Sequence, residues 1–186
     1  MTYYDAALKA LWLVWAVYWI VNAWGNKRTV RRVSPGARLL TFILLFGLFL
    51  AFHLYPGTFE RHLYARTVPV EIAGISVCAS GVAIAIWARR TLGKNWSGSP
   101  TVKEDHELIQ AGPYRLVRHP IYTGILLMVA GTGLCYGKVR EAFLFLFIFV
   151  MFWIRLKIEE SFMCQQFPEA YPEYRNSTKA LIPYFL

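Results

Sequence analysis

"GPYRLVRHPIYTG", Gly112 to Gly124, sets two arginines, a histidine and two prolines directly before an apolar run. Charge this dense at such an edge either anchors a membrane helix or lines a site that handles an anion. Which of the two holds depends first on whether the chain lives in a membrane. Composition says that it does. The 186 residues are 56% hydrophobic and 17% aromatic, with a mean hydropathy of +0.38. A soluble domain of that size has too little interior to hide so much apolar material. The length fits one domain. A net charge of +9 would suit nucleic acid. The basic residues, however, sit in short clusters between apolar runs, the pattern found beside anionic headgroups, so membrane lipids are the expected partner and nucleic acid is set aside.

Outward from this stretch the chain shows five apolar runs: Ala6–Trp24, Ala37–Tyr55, Val68–Ala88, Ile121–Tyr136 and Ala142–Ile154. The first three are long enough to cross a hydrocarbon core of roughly 30 Å. The last two are shorter and separated only by Gly137 to Glu141. They form either two tight spans or a hairpin, and Trp153–Phe162 (WIRLKIEESF) can carry the fifth beyond the bilayer as an amphipathic helix. The expected fold is therefore an all-α integral membrane protein with about five transmembrane helices. Residues 1–88 hold the first three, and the whole of 1–186 forms a single membrane domain.

Charge placement agrees. With the N-terminus outside and the C-terminus cytosolic, the inside segments carry fifteen of the twenty lysines and arginines, among them Arg89, Arg90, Arg115, Arg118, Arg155 and Lys157. Such asymmetry is the positive-inside pattern. The first twenty residues lack a basic leader and a small-residue cleavage site, and read as a retained helix. Trp24, Trp87 and Trp96 fall near expected boundaries, while Trp12, Trp15 and Trp19 share one helix face as a packing or lipid-facing stripe. Gly74, Ser76, Cys78, Ser80 and Gly81 in the third run, with Gly131, Gly133 and Gly137 in and after the fourth, predict close helix–helix approach. Cys78, Cys135 and Cys164 are widely spaced, with no zinc-type pairing, so no metal site is expected and the cysteines read as small buried hydrophobes. Nothing in the sequence sets the oligomeric state.

Polar chemistry collects on the inside face, in Arg89–His119 and in the tail from Arg155 onward. A site there would lie at the membrane–water interface, open to a water-soluble cofactor and an amphiphilic substrate. Pro120 suits the first turn of the fourth helix, where its missing N–H is not needed. An arginine at Arg118 would ordinarily be an anchor, and a lone histidine at His119 a satisfied structural residue. His119, Tyr122 and Gly124 together make a small concave surface with donors at its rim. Arg155 lies four residues before Glu159, so an ion pair along one helix face accounts for both. Glu160 points about 100° further round and is left without that partner. Adjacent helical carboxylates diverge, which argues against a glycosidase. No phosphate loop, Ser/His/Asp set or HExxH occurs, which argues against hydrolases, kinases and metalloproteases.

These residues match a known pattern. RHPIYTG at Arg118–Gly124 followed by Glu159–Glu160 resembles the RHPxYxG…EE signature of the isoprenylcysteine carboxyl methyltransferase family, in its broad bacterial-type branch. The flanks agree: GxNWS at Gly93–Ser97, HxLxxxGPYRxVRHP from His106, and FPxxYxxYxxxxxxLIP from Phe167 to Pro183. Together they cover about half the chain. The resemblance implies an integral-membrane methyltransferase that uses S-adenosyl-L-methionine without a soluble Rossmann domain. Residues 89–186 would be the catalytic, cofactor-binding half, with a cytosolic-face pocket between the loop before helix four and the C-terminal segment. On the matched positions His119, Pro120, Tyr122 and Gly124 would border the cofactor, with Tyr114 in the same loop. Glu159 and Glu160 would close its polar side, and Tyr171, Tyr174 and Pro183 would cover it.

The resemblance also gives the chemistry a shape. Methyl transfer from a sulfonium is an in-line displacement, and a carboxylate acceptor needs no strong base, so orientation should dominate. The catalytic candidates are Arg155, Arg118 and Glu159. Arg155 or Arg118 could hold a substrate carboxylate in a fork of hydrogen bonds, with Arg155 preferred. Ser161 and Phe162 follow Glu160 where members acting on prenylated proteins carry more glutamates. An isoprenylcysteine-type carboxylate is thus the namesake acceptor, with phospholipid amines and other lipid-borne acids open beside it. Two alternatives stand: an NADPH-dependent reductase of the sterol reductase type, and a non-catalytic small transporter or scaffold whose charges are interfacial anchors.

Overall fold

A computed structural model describes residues 3–22, 35–96 and 108–186. Trp24, the cations Lys27 to Arg32, Lys103, and the motif residues Ser97 and His106 lie outside the described residues. Among the described residues every regular element is helical, and strand-like pairing is limited to two isolated bridges, His62–Lys138 and Val117–Lys179.

The apolar runs become helices α1 (Tyr3–Val21), α2 (Pro35–Leu54), α4 (Val68–Leu92), α5 (Pro120–Tyr136) and α6 (Val139–Gln166). Two short helices join them, α3 (Pro56–Phe59) and α7 (Ala170–Ser177). Pro120 occupies the first turn of α5, as its fixed φ and missing N–H favour. α4 continues past its apolar run through Arg89 and Arg90, whose charges suit the negative end of a helix dipole. The fifth run does extend as one helix: α6 holds 28 residues, about 42 Å at the helical rise. Between α5 and α6 only Gly137 and Lys138 intervene. Gly137 adopts φ 61° and closes α5 by donating to Gly133 O at 2.8 Å, a left-handed cap that favours glycine.

The long helices alternate in direction. α4 and α5 are antiparallel, and at two glycine crossings their backbones come into direct contact. A Cβ on Gly81 would sit 2.5 Å from Gly124 O and 2.7 Å from Met128 N; one on Gly74 would meet Gly131 O at 2.7 Å. The small-residue pattern therefore produces the close approach expected of it. α1 packs on this pair: Leu8 is buried with Cys78, Val82, Met128 and Cys135, and Trp12 Nε1 donates to Thr132 Oγ1 at 3.0 Å. Trp15 stacks on Trp19 at 5.0 Å, and Trp19 meets Trp96 edge-on at 6.0 Å, so the tryptophan stripe is a packing face.

One end of the bundle is closed by ion pairs. Arg66 bridges Asp5 and Glu71, at 3.5 and 2.6 Å, while Lys138 and Arg140 both bind Glu60. The residue 60–66 loop is stitched to the α5–α6 turn, with Leu63 N donating to Gly137 O at 2.7 Å and Tyr64 Oη to Leu134 O at 2.8 Å. The opposite end gathers the start of α5, the second half of α6 and the tail.

Among the described residues two helices, α1 and α4, are long and apolar enough to cross a membrane, and α5 is apolar but shorter. On α6, Phe143, Leu146, Val150 and Ile154 are exposed at helical spacing, an outward apolar row that a water-soluble surface seldom carries.

Candidate active site

The site is assembled by the tail folding over the entrance to α5. Gly112–Arg115 forms a 3₁₀ turn that buries Pro113 and Tyr114. The chain then turns at Leu116 and pairs with the tail: Arg118 N donates to Lys179 O at 2.8 Å and His119 N to Ala180 O at 3.0 Å. One turn inside α5, Thr123 Oγ1 donates to Leu181 O at 2.7 Å. Ala180 and Leu181 are buried with Tyr122, Leu126 and Leu156, so the tail is part of the core at this end. α7 turns Tyr171 and Tyr174 inward, and Tyr174 Oη donates to Tyr114 O at 2.6 Å. Burial raises the Tyr174 phenol to about 12 and pushes Tyr171 and Tyr114 higher still.

Two arginine–glutamate pairs lie side by side. In the inner one, Arg118 Nε and Nη2 both reach Glu160 Oε1 at 2.8 Å. Arg118 Nη1 donates to Arg175 O at 3.0 Å and also to Thr178 O. The Arg118 and Glu160 side chains are 9% and 4% exposed. Burial alone would raise the Glu160 carboxyl, but His119 and Arg118 outweigh it and hold the group at about 2. In the outer pair, Arg155 Nε donates to Glu159 Oε1 at 3.2 Å across one helical turn, with exposures of 32% and 23%. The Tyr122 hydroxyl joins this pair: it donates to Glu159 Oε1 at 2.6 Å and accepts from Arg155 Nε at 2.6 Å.

His119 stands between the two carboxylates. Its Nδ1 lies 3.7 Å from Glu159 Oε2 and its Nε2 3.5 Å from Glu160 Oε1. Nε2 is buried and makes no hydrogen bond to the described residues. The imidazole stacks on Tyr122 at 5.5 Å, and Tyr122 stacks on Phe152 of α6 at 4.5 Å.

The residues singled out in the sequence thus separate into three places. Arg118, His119, Tyr122, Arg155, Glu159 and Glu160 converge. Tyr114, Tyr171 and Tyr174 form a buried layer behind them, with the Glu160 charge acting on Tyr171 and that of Glu159 on Tyr114. Pro120 is fully buried in the first turn of α5, and Pro183 is half-buried in the tail turn. Gly124 faces away from the carboxylates: a Cβ there would meet Gly81 O at 2.7 Å and Ala85 N at 2.8 Å, so its missing side chain serves the α4–α5 contact. Sequence reasoning passed over Thr123, Phe152 and the carbonyls of Arg175 and Thr178. Thr123 follows His119 by one turn and Phe152 precedes Arg155 by nearly one, spacings that put each on the site's face. The carbonyls carry no sequence signal.

The donor set suits a nucleoside-bearing sulfonium. A buried imidazole nitrogen that makes no hydrogen bond to the described residues, two carboxylates able to accept from hydroxyl or amino groups, and stacked aromatic rings are present together. Arg175 Nε also stands 3.9 Å from Glu160 Oε2, so three guanidiniums face the two carboxylates, and a bound cation would be met by the carboxylate oxygens themselves.

Known proteins resemble this chain in sequence and in fold. The family model described as phospholipid methyltransferase matches residues 70–170. The protein-S-isoprenylcysteine O-methyltransferase of Saccharomyces cerevisiae is 31% identical over 100 residues, covering 52% of this chain and 42% of that protein. The cobalt-zinc-cadmium resistance protein CzcN of Cupriavidus metallidurans is 31% identical over 163 residues, covering 87% and 68%. Among solved structures, the eukaryotic intramembrane Ras methyltransferase ICMT (isoprenylcysteine carboxyl methyltransferase) superposes with a TM-score of 0.56 at 21% identity, over 83% of this chain and 55% of that one. This chain spans between 34% and 62% of the length of the isoprenylcysteine methyltransferases it matches. The chain belongs to the phospholipid methyltransferase family, in the company of the isoprenylcysteine carboxyl methyltransferases.

Proposed function

We propose that this protein is an integral-membrane methyltransferase that transfers a methyl group from S-adenosyl-L-methionine to a lipophilic, membrane-borne acceptor, foremost a carboxylate of the isoprenylcysteine type. The observation that carries the proposal is the partly exposed Arg155–Glu159 pair, joined by the hydroxyl of the buried Tyr122, beside a buried His119 and Glu160 within the family-matched part of the chain. In this reading the apolar runs of α1, α2, α4, α5 and α6 are five membrane spans with the N-terminus outside and the tail cytosolic, and α6 past Ile154, with Glu159 and Glu160, stands beyond the bilayer. Residues 1–88 form the membrane scaffold and 89–186 the catalytic half.

His119, Glu160 and the ring of Tyr122, rather than its hydroxyl, would hold the donor, with Tyr114, Tyr171 and Tyr174 as the layer behind and Pro120 and Pro183 fixing the loop and tail. When bound, S-adenosyl-L-methionine supplies an electrophilic methyl: a lone pair on the acceptor forms the new bond to carbon as the carbon–sulfur bond breaks and the sulfonium becomes a neutral thioether. Arg155 can bind one acceptor oxygen while Tyr122 and Glu159 fix its orientation, which leaves the attacking lone pair unprotonated. Arg118 is already engaged at all three nitrogens and serves as a positioning residue. Orientation of the acceptor, rather than proton removal, is then the larger contribution of the chain.

Calorimetry in detergent tests the donor. Saturable binding of S-adenosyl-L-methionine is the expected result, and binding of NADPH in its place would overturn the reading. Incubating membranes with a labelled donor and then extracting lipids and proteins would identify the acceptor class.

A further inference from the structure

The end of the tail carries a surface that the site does not use. After Leu181 the backbone closes on itself: Leu181 N and Ile182 N both donate to Leu186 O, at 2.7 and 2.8 Å, and Phe185 N and Leu186 N both donate to Ile182 O at 3.1 Å. This built turn points its apolar side chains outward. Tyr184 is 91% and Phe185 88% exposed, and Ile182 is exposed beside them. Tyr184 is also the one non-glycine residue, among those described, with a positive φ, 67°. A bulky side chain seldom adopts that conformation; the turn's own hydrogen bonds hold it, and its surroundings decide what the presented ring meets.

The depth of the turn indicates those surroundings. Leu181 O accepts from Thr123, one turn inside α5, and Leu186 packs in the same cluster as Ile121. The turn therefore lies level with the first turn of α5, at the edge of the apolar bundle. Aromatic side chains gain most at that boundary, where ring and polar tip meet different solvents. Lys179 and Arg115 are exposed on the adjoining segments, joined through the Val117–Lys179 bridge. Basic residues beside exposed aromatics suit anionic headgroups.

We propose that the Ile182–Phe185 turn is a membrane-interface anchor. Tyr184 and Phe185 enter the headgroup–acyl boundary of the adjacent leaflet, Lys179 and Arg115 meet its anionic headgroups, and this holds the tail carbonyls against Arg118 and His119. The proposal rests on α5 crossing the membrane, but its test does not depend on methyl transfer.

The test uses the full chain in lipid nanodiscs containing anionic phospholipid, with Cys164→Ser as background and an environment-sensitive fluorophore on Phe185→Cys. Cys78 and Cys135 are buried and remain unlabelled. The same label on Glu169→Cys, exposed at the start of α7, is the aqueous reference. A nitroxide near the headgroup end of the acyl chains should quench the label at 185 roughly threefold more than at 169. Equal quenching overturns the proposal, as does shielding of the label at 185 in detergent by a dimer, which would mean that a second copy covers the turn. In the Tyr184→Ser, Phe185→Ser double variant, the Arg118 and His119 amides should exchange with solvent roughly tenfold faster in the membrane. Unchanged exchange would separate the anchor from the site and overturn the coupling.

Discussion

Arg118 and Glu160 stand 42 residues apart in the chain and meet through two contacts of 2.8 Å to a single carboxylate oxygen. One residue is two positions before α5 and the other is on the last third of α6, so the pair ties the loop to the helix hairpin that follows it. The tail locks the pair in place, because its carbonyls take the remaining guanidinium nitrogen.

Removing either partner should leave a buried, uncompensated charge. Arg118→Ala or Glu160→Leu is expected to cost about 3–5 kcal/mol, and the double variant Arg118→Met, Glu160→Leu to recover much of it. Unfolding in mixed detergent micelles, run as a double-mutant cycle, measures this.

Acid should release the same pair. The Glu160 carboxyl is held at about 2, below its ordinary value of 4.5. Its stabilising contribution is therefore complete above pH 4.5 and is lost as the pH falls towards 2. Melting temperatures recorded across that window should drop more for the native chain than for Glu160→Gln, which has no carboxylate to protonate there.

The outer pair should behave differently. Tyr122→Phe keeps the ring stacked between His119 and Phe152 but removes the hydroxyl that joins Arg155 to Glu159. Stability should fall by only about 1 kcal/mol, while kcat drops on the order of tenfold with little change in the KM for the methyl donor. Arg155→Ala should follow the same division. Glu160→Ala should instead weaken donor binding, measured by calorimetry.

At the α4–α5 contact, Gly81→Ala places a methyl 2.5 Å from one backbone atom and 2.7 Å from another, neither of which can swing aside. A loss of about 1–3 kcal/mol is expected. Gly133→Ala meets only the Glu141 side chain at 3.4 Å and should be neutral or slightly stabilising, since alanine favours the helix. Thermal unfolding of the two variants side by side checks this.

Most of the scaffold was legible because hydrocarbon-length apolar runs and the small-residue pattern are local properties. The fifth run's extension through Arg155 and Glu159 could be read from helical spacing alone, and the ion pair at 3.2 Å follows it. The partner of Glu160 was not legible. Arg118 reaches it from another element, and the contacts that orient Arg118 come from main-chain carbonyls, whose identity no side chain encodes. Gly124 shows the converse: as part of a motif beside His119 it looked like room for a ligand, whereas its vacant Cβ position is filled by α4. A motif residue's neighbours along the chain and its neighbours in space need not serve the same purpose.

At the Gly74–Gly131 and Gly81–Gly124 crossings the backbones of α4 and α5 touch directly. Two rods touching main chain to main chain can move only together. On the proposed function, this backbone contact gives an apolar acceptor no side chain to push aside at the two crossings, and it holds the start of α5, with His119 and Tyr122, in register against α4.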